Sequence, residues 1–187
     1  MSGSDRKTIA AALLARFGSL RGVLTASRGE VRRTVPGQEA VAAHLGAVRR
    51  AMMSVLRSNL DDRPIIDGGR ALGDYLRFVQ GSEQVEVVRI LYLNLGKRLL
   101  REEVAARGTV DEAPVYVREI VRRALELGAT GLVLVHNHPS GDASPSRSDL
   151  DLTRRLAAAT GTMGVTLFDH MIVTSTGCLS FRAEGLL

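Results

Sequence analysis

The chain has 187 residues, of which 45% are hydrophobic and 24% are charged, values typical of a globular protein rather than a disordered one. No apolar run approaches the roughly 20 residues that cross a bilayer, and the N-terminus lacks the continuous apolar region of a signal peptide, so we expect a cytoplasmic protein without a membrane partner. A single cysteine, Cys178, excludes an internal disulfide framework and a multi-cysteine zinc finger.

The positive charge of the chain is concentrated in its first third. Residues 1–64 contain 11 Lys and Arg against 5 Asp and Glu, whereas residues 65–187 contain 14 against 15. Such a surplus favours attraction to nucleic acid, but it is also typical of an ordinary solvated basic surface. Both interpretations stay open at this point.

The first third is predicted to be helical. Ser27 and Glu30 have the spacing of a capping box, in which each side chain accepts a hydrogen bond from the other residue's main-chain N–H. A long helix is expected after Gly37, and its buried stripe is predicted to consist of Val41, Leu45, Val48, Met52, Val55 and Leu56. Turn-forming and helix-breaking residues over 58–64 are predicted to end it.

That break places a domain boundary. We expect a helical domain over 1–62, a linker over 63–68 and a second domain over 65–187. In the second domain the hydrophobic pattern predicts helices over 70–80, 117–127 and 146–160 and strands over 85–93, 98–107, 132–135 and 165–174. The first two strands are expected to form a hairpin. The fold class is therefore α/β or α+β, with helices packed on a mixed sheet.

The densest group of polar residues follows the apolar strand over 132–135. His136 and His138 lie two residues apart, so at the end of a strand they point to the same face, roughly 6.6 Å apart along the chain. The turn over 139–142 returns the chain towards the strand end, and the next helix is expected to begin near Ser146 with Asp149 on the same helical face. Two imidazoles and one carboxylate leave a fourth tetrahedral position for water, as in catalytic zinc sites.

Hydrolysis at such a site needs a general base and a group that stabilises the oxyanion. Glu86, at the start of the earlier strand, could reach the site from a neighbouring position and serve as the base, although taken alone it is also typical of an ordinary strand carboxylate. Ser146 offers a hydroxyl on the same face as Asp149. His170 is interpreted as a buried histidine hydrogen-bonded within the sheet, with a fourth ligand or a donor to a ligand as alternatives.

The segment from His136 to Asp149, with the sequence HNHPSGDASPSRSD, resembles the signature of the RadC-like proteins, a bacterial branch of the JAB/MPN domains that carry the JAMM zinc motif. The resemblance extends over residues 65–187, through the segments EVVRILYL (86–93), GTV (108–110), REI (118–120), DH (169–170) and SF (180–181). It implies a curved β-sheet flanked by helices, similar in outline to cytidine deaminases. The first third is similar to the helix-hairpin-helix domain that precedes the JAB domain in these proteins.

The resemblance implies a role for each motif residue. His136, His138 and Asp149 would hold Zn²⁺, Glu86 would orient or deprotonate the attacking water, and Ser146 would donate a hydrogen bond to the tetrahedral intermediate. The implied activity is a zinc-dependent metallopeptidase or isopeptidase acting on a peptide or protein substrate.

Two other functions stay open. One is a DNA-associated module in DNA repair or metabolism, with the MPN domain as a scaffold and weak DNA association through the basic N-terminal domain. The hairpin departs from its family pattern there, because Pro36-Gly37-Gln38 lacks the second glycine and one backbone donor. The other is a metal-dependent nuclease.

Overall fold

A computed structural model of the chain describes residues 3–61, 64–65, 69–108 and 115–187. Thr109, Val110 and most of the predicted linker over 63–68 lie outside these residues. The chain divides into two compact units, Met1–Leu56 and Arg57–Leu187. None of the helices in the described ranges is long and apolar enough to span a membrane.

Four helices form the N-terminal region: α1 (Gly3–Phe17), α2 (Leu20–Thr25), α3 (Arg28–Thr34) and α4 (Glu39–Asp61). The predicted capping box is present, since Ser27 Oγ accepts from Glu30 N at 3.2 Å and Glu30 Oε2 accepts from Ser27 N at 2.8 Å. Gly37 provides the left-handed turn between α3 and α4, with φ of 77°. The buried core of these helices consists of Leu13, Val23, Val31, Val35 and Ala42.

Helix α4 departs in part from its predicted buried stripe. Its first turns pack in the core of the N-terminal helices through Val41, Ala42 and Leu45. Further along the predicted stripe, Val48 and Leu56 are half-buried, whereas Met52 and Val55 are exposed, so the prediction is wrong at the latter two positions. The helix ends at Asp61, within the segment 58–64 that was predicted to end it. Burial of Leu60 outweighs the weak helix propensity of its neighbours there.

The second unit contains a mixed sheet flanked by helices, as predicted, but the sheet has five strands where four were expected. Its elements are α5 (Gly69–Gln80), β1 (Glu86–Leu93), β2 (Leu99–Gly108), α6 (Val117–Glu126), β3 (Gly131–Asn137), α7 (Arg147–Gly161), β4 (Thr166–Val173) and β5 (Cys178–Ser180). The strand order is β2-β1-β3-β4-β5, and all neighbours are antiparallel except β3 and β4. Helix α7 supplies the crossover that this parallel pair requires.

Strand β3 lies at the centre of the sheet, and every residue in it is buried. Its apolar side chains pack with those of α6, α7 and β1 in one core that includes Ile90, Ile120, Leu134 and Leu156. The edge strand β5, which lies beside β4, was not predicted. Three residues are too few for an alternating pattern, and the position of β5 depends on its pairing with residues 171–173 of β4.

A buried ion cluster connects the β1–β2 hairpin to the end of α4 and to α5. The side chain of Glu102 is only 4% exposed and pairs with Arg89 and with Arg57, the latter at 3.0 Å. Tyr75 of α5 donates its hydroxyl proton to the same carboxylate at 2.6 Å. A buried carboxylate with three donors is fully satisfied, so this cluster stabilises the hairpin.

Candidate metal centre

The two histidines of the motif lie where the central strand β3 ends. His136 is the penultimate residue of β3 and is 4% exposed, and His138 follows one residue beyond the strand. The main-chain N–H of His138 still donates to Val173 O at 3.0 Å, which extends the ladder with β4 and keeps the strand geometry up to this residue. Both imidazoles therefore face the same side, the side covered by α7.

The turn after His138 fixes the orientation of its ring. Gly141 adopts φ of 86°, and its N–H donates to His138 O at 3.1 Å, closing the turn. The chain then brings Asp142 O to 2.7 Å from His138 Nδ1. Because a carbonyl oxygen only accepts, Nδ1 carries the proton, and Nε2 presents a lone pair.

Asp149 is held by the capping box at the start of α7. Ser146 is the N-cap residue, its Oγ accepts from Asp149 N at 3.2 Å, and Asp149 Oδ2 accepts from Ser146 N at 2.8 Å. Ser146 Oγ lies 2.6 Å from the same Oδ2 and 2.8 Å from Ser148 Oγ. These bonds place the carboxylate over the end of β3, where it is 7% exposed.

The three side chains converge on one point. His136 Nε2 lies 2.8 Å from His138 Nε2 and 3.1 Å from Asp149 Oδ1, and His138 Nε2 lies 3.5 Å from Asp149 Oδ2. Ligand atoms on a tetrahedral Zn²⁺ with bonds of 2.0–2.1 Å are about 3.4 Å apart, close to these separations. The donor set therefore fits a divalent ion, and His136, His138 and Asp149 are the groups that could hold it.

His170 and Thr153 lie directly behind this cluster. His170 on β4 is fully buried; its Nε2 lies 2.8 Å from His136 Nδ1, and its Nδ1 lies 2.6 Å from Thr153 Oγ1. Its ring packs on Phe181, with the centroids 4.3 Å apart. His170 is buried and hydrogen-bonded, as expected, but its bonds are not confined to the sheet. Its partners are His136, one of the proposed ligands, and Thr153 of α7, so the alternative of contact with a ligand is the arrangement found.

Burial and hydrogen bonding fix the charge of the two buried groups. Burial raises the pKa of Asp149, but hydrogen bonds from His136 and Ser146 outweigh this, so that its pKa lies well below the usual range. Burial, with the charge on His136, lowers the pKa of His170 to about 3. At neutral pH the cluster therefore contains an ionised carboxylate and a neutral His170.

Glu86 and Ser146, the two residues expected to act on substrate, are placed differently. Glu86 lies with His136 and Asp149 on the wall of a cavity of about 360 Å³. The same cavity is bounded by Val88, Ala106, Arg107, Gly108, Val115, Tyr116, Ser148, Asp151, Leu152 and Arg155. Ser146 is exposed and engaged as the cap of α7.

Two residues of this region were missed in the sequence. Thr153 lies four residues after Asp149 and hence on the same helical face, a spacing that could have identified it. Asn137, between the two histidines, is 1% exposed; its Oδ1 accepts from Val87 N at 2.9 Å and its Nδ2 donates to Val85 O at 3.0 Å. No sequence pattern predicts these last contacts, because they join residues about 50 positions apart.

Comparison with known proteins confirms the resemblance. The family model described as the RadC-like JAB domain matches residues 66–186. A UPF0758 protein of Rhodobacter capsulatus is 42% identical over 183 residues, covering 98% of this chain and 86% of the relative. A UPF0758 protein of Ruegeria pomeroyi is also 42% identical over 183 residues, covering 98% and 82% respectively.

Proposed function

Because this chain belongs to the RadC-like JAB domain family, we propose that it is a zinc-dependent hydrolase that cleaves an amide bond in a peptide or protein substrate. One observation supports the proposal above all. Three potential ligand groups lie close enough together to hold one ion: Nε2 of His136, Nε2 of His138 and the carboxylate of Asp149. Each ring has its other nitrogen committed elsewhere, to His170 or to Asp142 O. Such bonds to the second nitrogen orient histidine ligands in metal sites.

The donor set supports zinc as the ion. Two imidazoles and one carboxylate leave the fourth tetrahedral position open, which distinguishes catalytic zinc sites from closed structural ones. When bound, the ion supplies Lewis acidity, which polarises a carbonyl and makes water a nucleophile at neutral pH.

Glu86 serves as the general base in this proposal. It lies on the same cavity wall as His136 and Asp149, and the bonds of Asn137 to Val85 and Val87 hold the main chain on both sides of it. Its carboxylate accepts a proton from the attacking water and returns it to the leaving amine. A positioned general acid–base typically contributes 10²–10⁴-fold to rate.

Ser146 serves as the donor to the oxyanion. Its hydroxyl is 2.6 Å from Asp149 Oδ2, so it already lies beside the proposed metal ligands. Rotation of the O–H about the Cβ–Oγ bond redirects the proton from the carboxylate to a substrate oxygen. The main-chain N–H of Ser146 still holds Asp149 Oδ2 at 2.8 Å during that rotation.

The wall of the cavity supports a peptide as the occupant. Val88, Ala106, Val115 and Leu152 form apolar surface on this wall. Charges of both signs lie beside it, from Arg107 and Arg155 and from the carboxylates of Glu86, Asp149 and Asp151. Mostly apolar pockets with a few charged groups are typical of sites that bind organic substrates.

The test is zinc-dependent cleavage of a mixture of tryptic peptides, with new N-termini identified by mass spectrometry. Parent protein, Glu86→Gln and a control, Glu126→Gln, are loaded with zinc and compared; Glu126 lies on α6, outside the cavity. We expect Glu86→Gln to keep its zinc and to lose at least about 100-fold in rate, and Glu126→Gln to match the parent. Full activity of Glu86→Gln would exclude its role as the base.

A second proposal, of a different class, concerns the basic N-terminal region, for which we propose weak association with DNA. The surplus of positive charge over residues 1–64 supports it. Glu39 lies in the first turn of α4 and pairs with Arg32, and its negative charge disfavours binding of a phosphate at that helix N-terminus. The contact expected is therefore with arginine side chains. Cleavage of DNA by the zinc-loaded parent in place of peptides would favour the nuclease alternative.

A further inference from the structure

Three residues of the cavity wall lie in one row across the sheet. Val88 of β1 pairs with Ala106 of β2 on one side and with His136 of β3 on the other. Directly opposed residues on antiparallel strands project to the same face of a sheet. Val88 and Ala106 therefore share the face of His136, and they lie roughly 5 and 10 Å from it because neighbouring strands are about 4.8 Å apart.

A β-bulge gives Ala106 this position. The pairs Val88–Ala106 and Arg89–Val104 follow each other along β1, so Ala105 is an extra residue of β2 between them. Bulges re-aim side chains and are common next to active sites. Ala105 is exposed and lies outside the wall that the described residues form around the cavity, whereas Ala106 is half-buried and belongs to that wall.

Leu152 and Val115 extend the row into a larger apolar surface. Leu152 follows Asp149 by three positions on α7 and so lies on the same helical face, and Val115 lies just before α6. Val88, Val115 and Leu152 all pack against the main core of the second unit, which holds them in place. Each is only half-buried, so part of its apolar surface stays open to the cavity.

The charges around the cavity do not favour a charged occupant for this surface. Arg107 is paired with Glu83 at 3.1 Å, and Arg155 lies 3.8 Å from Asp151, so both guanidinium groups already have carboxylate partners. A charged side chain seated on the apolar surface would lose hydration and gain no partner. An aliphatic side chain gains free energy by leaving water there.

We propose that Val88, Ala106, Val115 and Leu152 form a subsite for an aliphatic side chain of the substrate, so that the protein selects peptides with a residue such as leucine within two positions of the cleaved bond. An extended peptide advances about 3.3 Å per residue, and the subsite begins one strand spacing from His136, so the distances match. The inference rests on the proposed hydrolase function and names the class of substrate that this site takes.

Ala106→Leu tests the subsite, because the added atoms occupy it. Ala105→Leu is the matched control, since it makes the same change one residue away on the same strand, at an exposed position. Ala106→Val is a smaller addition that suits a strand, and it keeps the test valid if the larger side chain disturbs β2.

The first readout is binding of blocked pentapeptides to the metal-free, full-length protein. The probes consist of glycine with leucine, glycine or aspartate at the central position, and their binding is followed by titration of the methyl signals of Val88 and Leu152 in NMR spectra. We expect the leucine peptide to bind the parent and Ala105→Leu about 10-fold more tightly than the glycine peptide. This preference should fall in Ala106→Val and disappear in Ala106→Leu.

Three results would overturn the subsite: equal affinities of the parent for the leucine and glycine peptides, tighter binding of the aspartate peptide, or an unchanged preference for leucine in Ala106→Leu and Ala106→Val.

The second readout separates failure of the subsite from failure of the hydrolase. The cleavage sites of the zinc-loaded parent in tryptic peptides should show aliphatic residues enriched at one position within two residues of the cleaved bond. Cleavage without this enrichment would overturn the subsite while the hydrolase stands. A preference for the leucine peptide in binding, with no peptide cleaved, would support the subsite as a peptide-binding surface and refute the hydrolase.

Discussion

The side-chain amide of Asn137 takes the place of a main-chain hydrogen bond between β1 and β3 next to Glu86, because its Oδ1 accepts from Val87 N at 2.9 Å. Its Nδ2 donates to Val85 O at 3.0 Å, so the two residues that flank Glu86 are both bonded to the residue between His136 and His138. The position of the proposed base is therefore coupled to the proposed metal ligands through one buried side chain.

Asn137→Ala should uncouple the position of the proposed base, Glu86, from the proposed metal ligands. The N–H of Val87 loses its partner in a buried site and the carbonyl of Val85 loses one in a partly buried site, which together cost about 2 kcal/mol of the free energy of unfolding. Displacement of Glu86 should also lower kcat on the order of 10- to 100-fold, while bound zinc is retained. Urea unfolding, metal analysis and peptide cleavage measure the three quantities.

Asn94→Ala is the control for that variant. Asn94 also accepts a main-chain bond, from Arg98 N at 3.0 Å, but in an exposed turn between β1 and β2. Water replaces the lost bond there, so stability and kcat should change little. An equal loss of kcat in both variants would contradict the coupling.

Glu102→Gln should be among the most destabilising single substitutions of a charged residue in the second unit. Because Glu102 is buried and holds Arg89, Arg57 and Tyr75, its neutralisation leaves a largely buried guanidinium unpaired, at a cost of about 3 kcal/mol. Glu119→Gln removes an exposed ion pair with Arg122 and should have little effect. Similar urea midpoints for the two variants would contradict this account of the cluster.

The elements that formed this site were largely predictable because their causes are local. The buried run over 132–135, the turn after His138 and the capping positions Ser146 and Asp149 all lie within one stretch of chain, so residue spacing alone locates them. The bounds of α5, α6 and α7 agree with prediction to within one residue for the same reason.

What could not be predicted depends on contacts between distant residues. The exposure of Val55 depends on where the core of the N-terminal helices ends, and the position of β5 depends on its pairing with β4. Hydrophobic periodicity carries no information on these contacts, because it reports which face is apolar but not what covers it.

Ser146→Ala should separate two roles of one hydroxyl. Loss of the cap costs about 1 kcal/mol, and loss of the proposed oxyanion donor should lower kcat on the order of 10²-fold. Ser27→Ala removes the hydroxyl of the other capping box, in α3, and should lower stability by a similar amount without changing kcat. Unaltered kcat in Ser146→Ala would leave Ser146 as a cap alone.

Weak DNA association should depend on exposed arginines of the N-terminal region. Replacing Arg28, Arg33 and Arg50 with Gln should weaken binding to a DNA duplex and reduce the slope of log K against log salt by up to about 3. A control with Arg147, Arg154 and Arg182 replaced changes the net charge equally and should leave the slope unchanged. Equal effects of the two triple variants would contradict a role for the N-terminal region.

The most direct measurement is metal content by mass spectrometry, on full-length protein purified without a chelator or a histidine tag, beside His138→Ala. His138 contributes Nε2 to the cluster but lies beyond the last residue of β3, so its removal spares the sheet. The account predicts about one zinc ion per parent chain and its loss from the variant. A parent that holds no metal even after zinc is offered, or a variant that retains the parent's zinc, would contradict it.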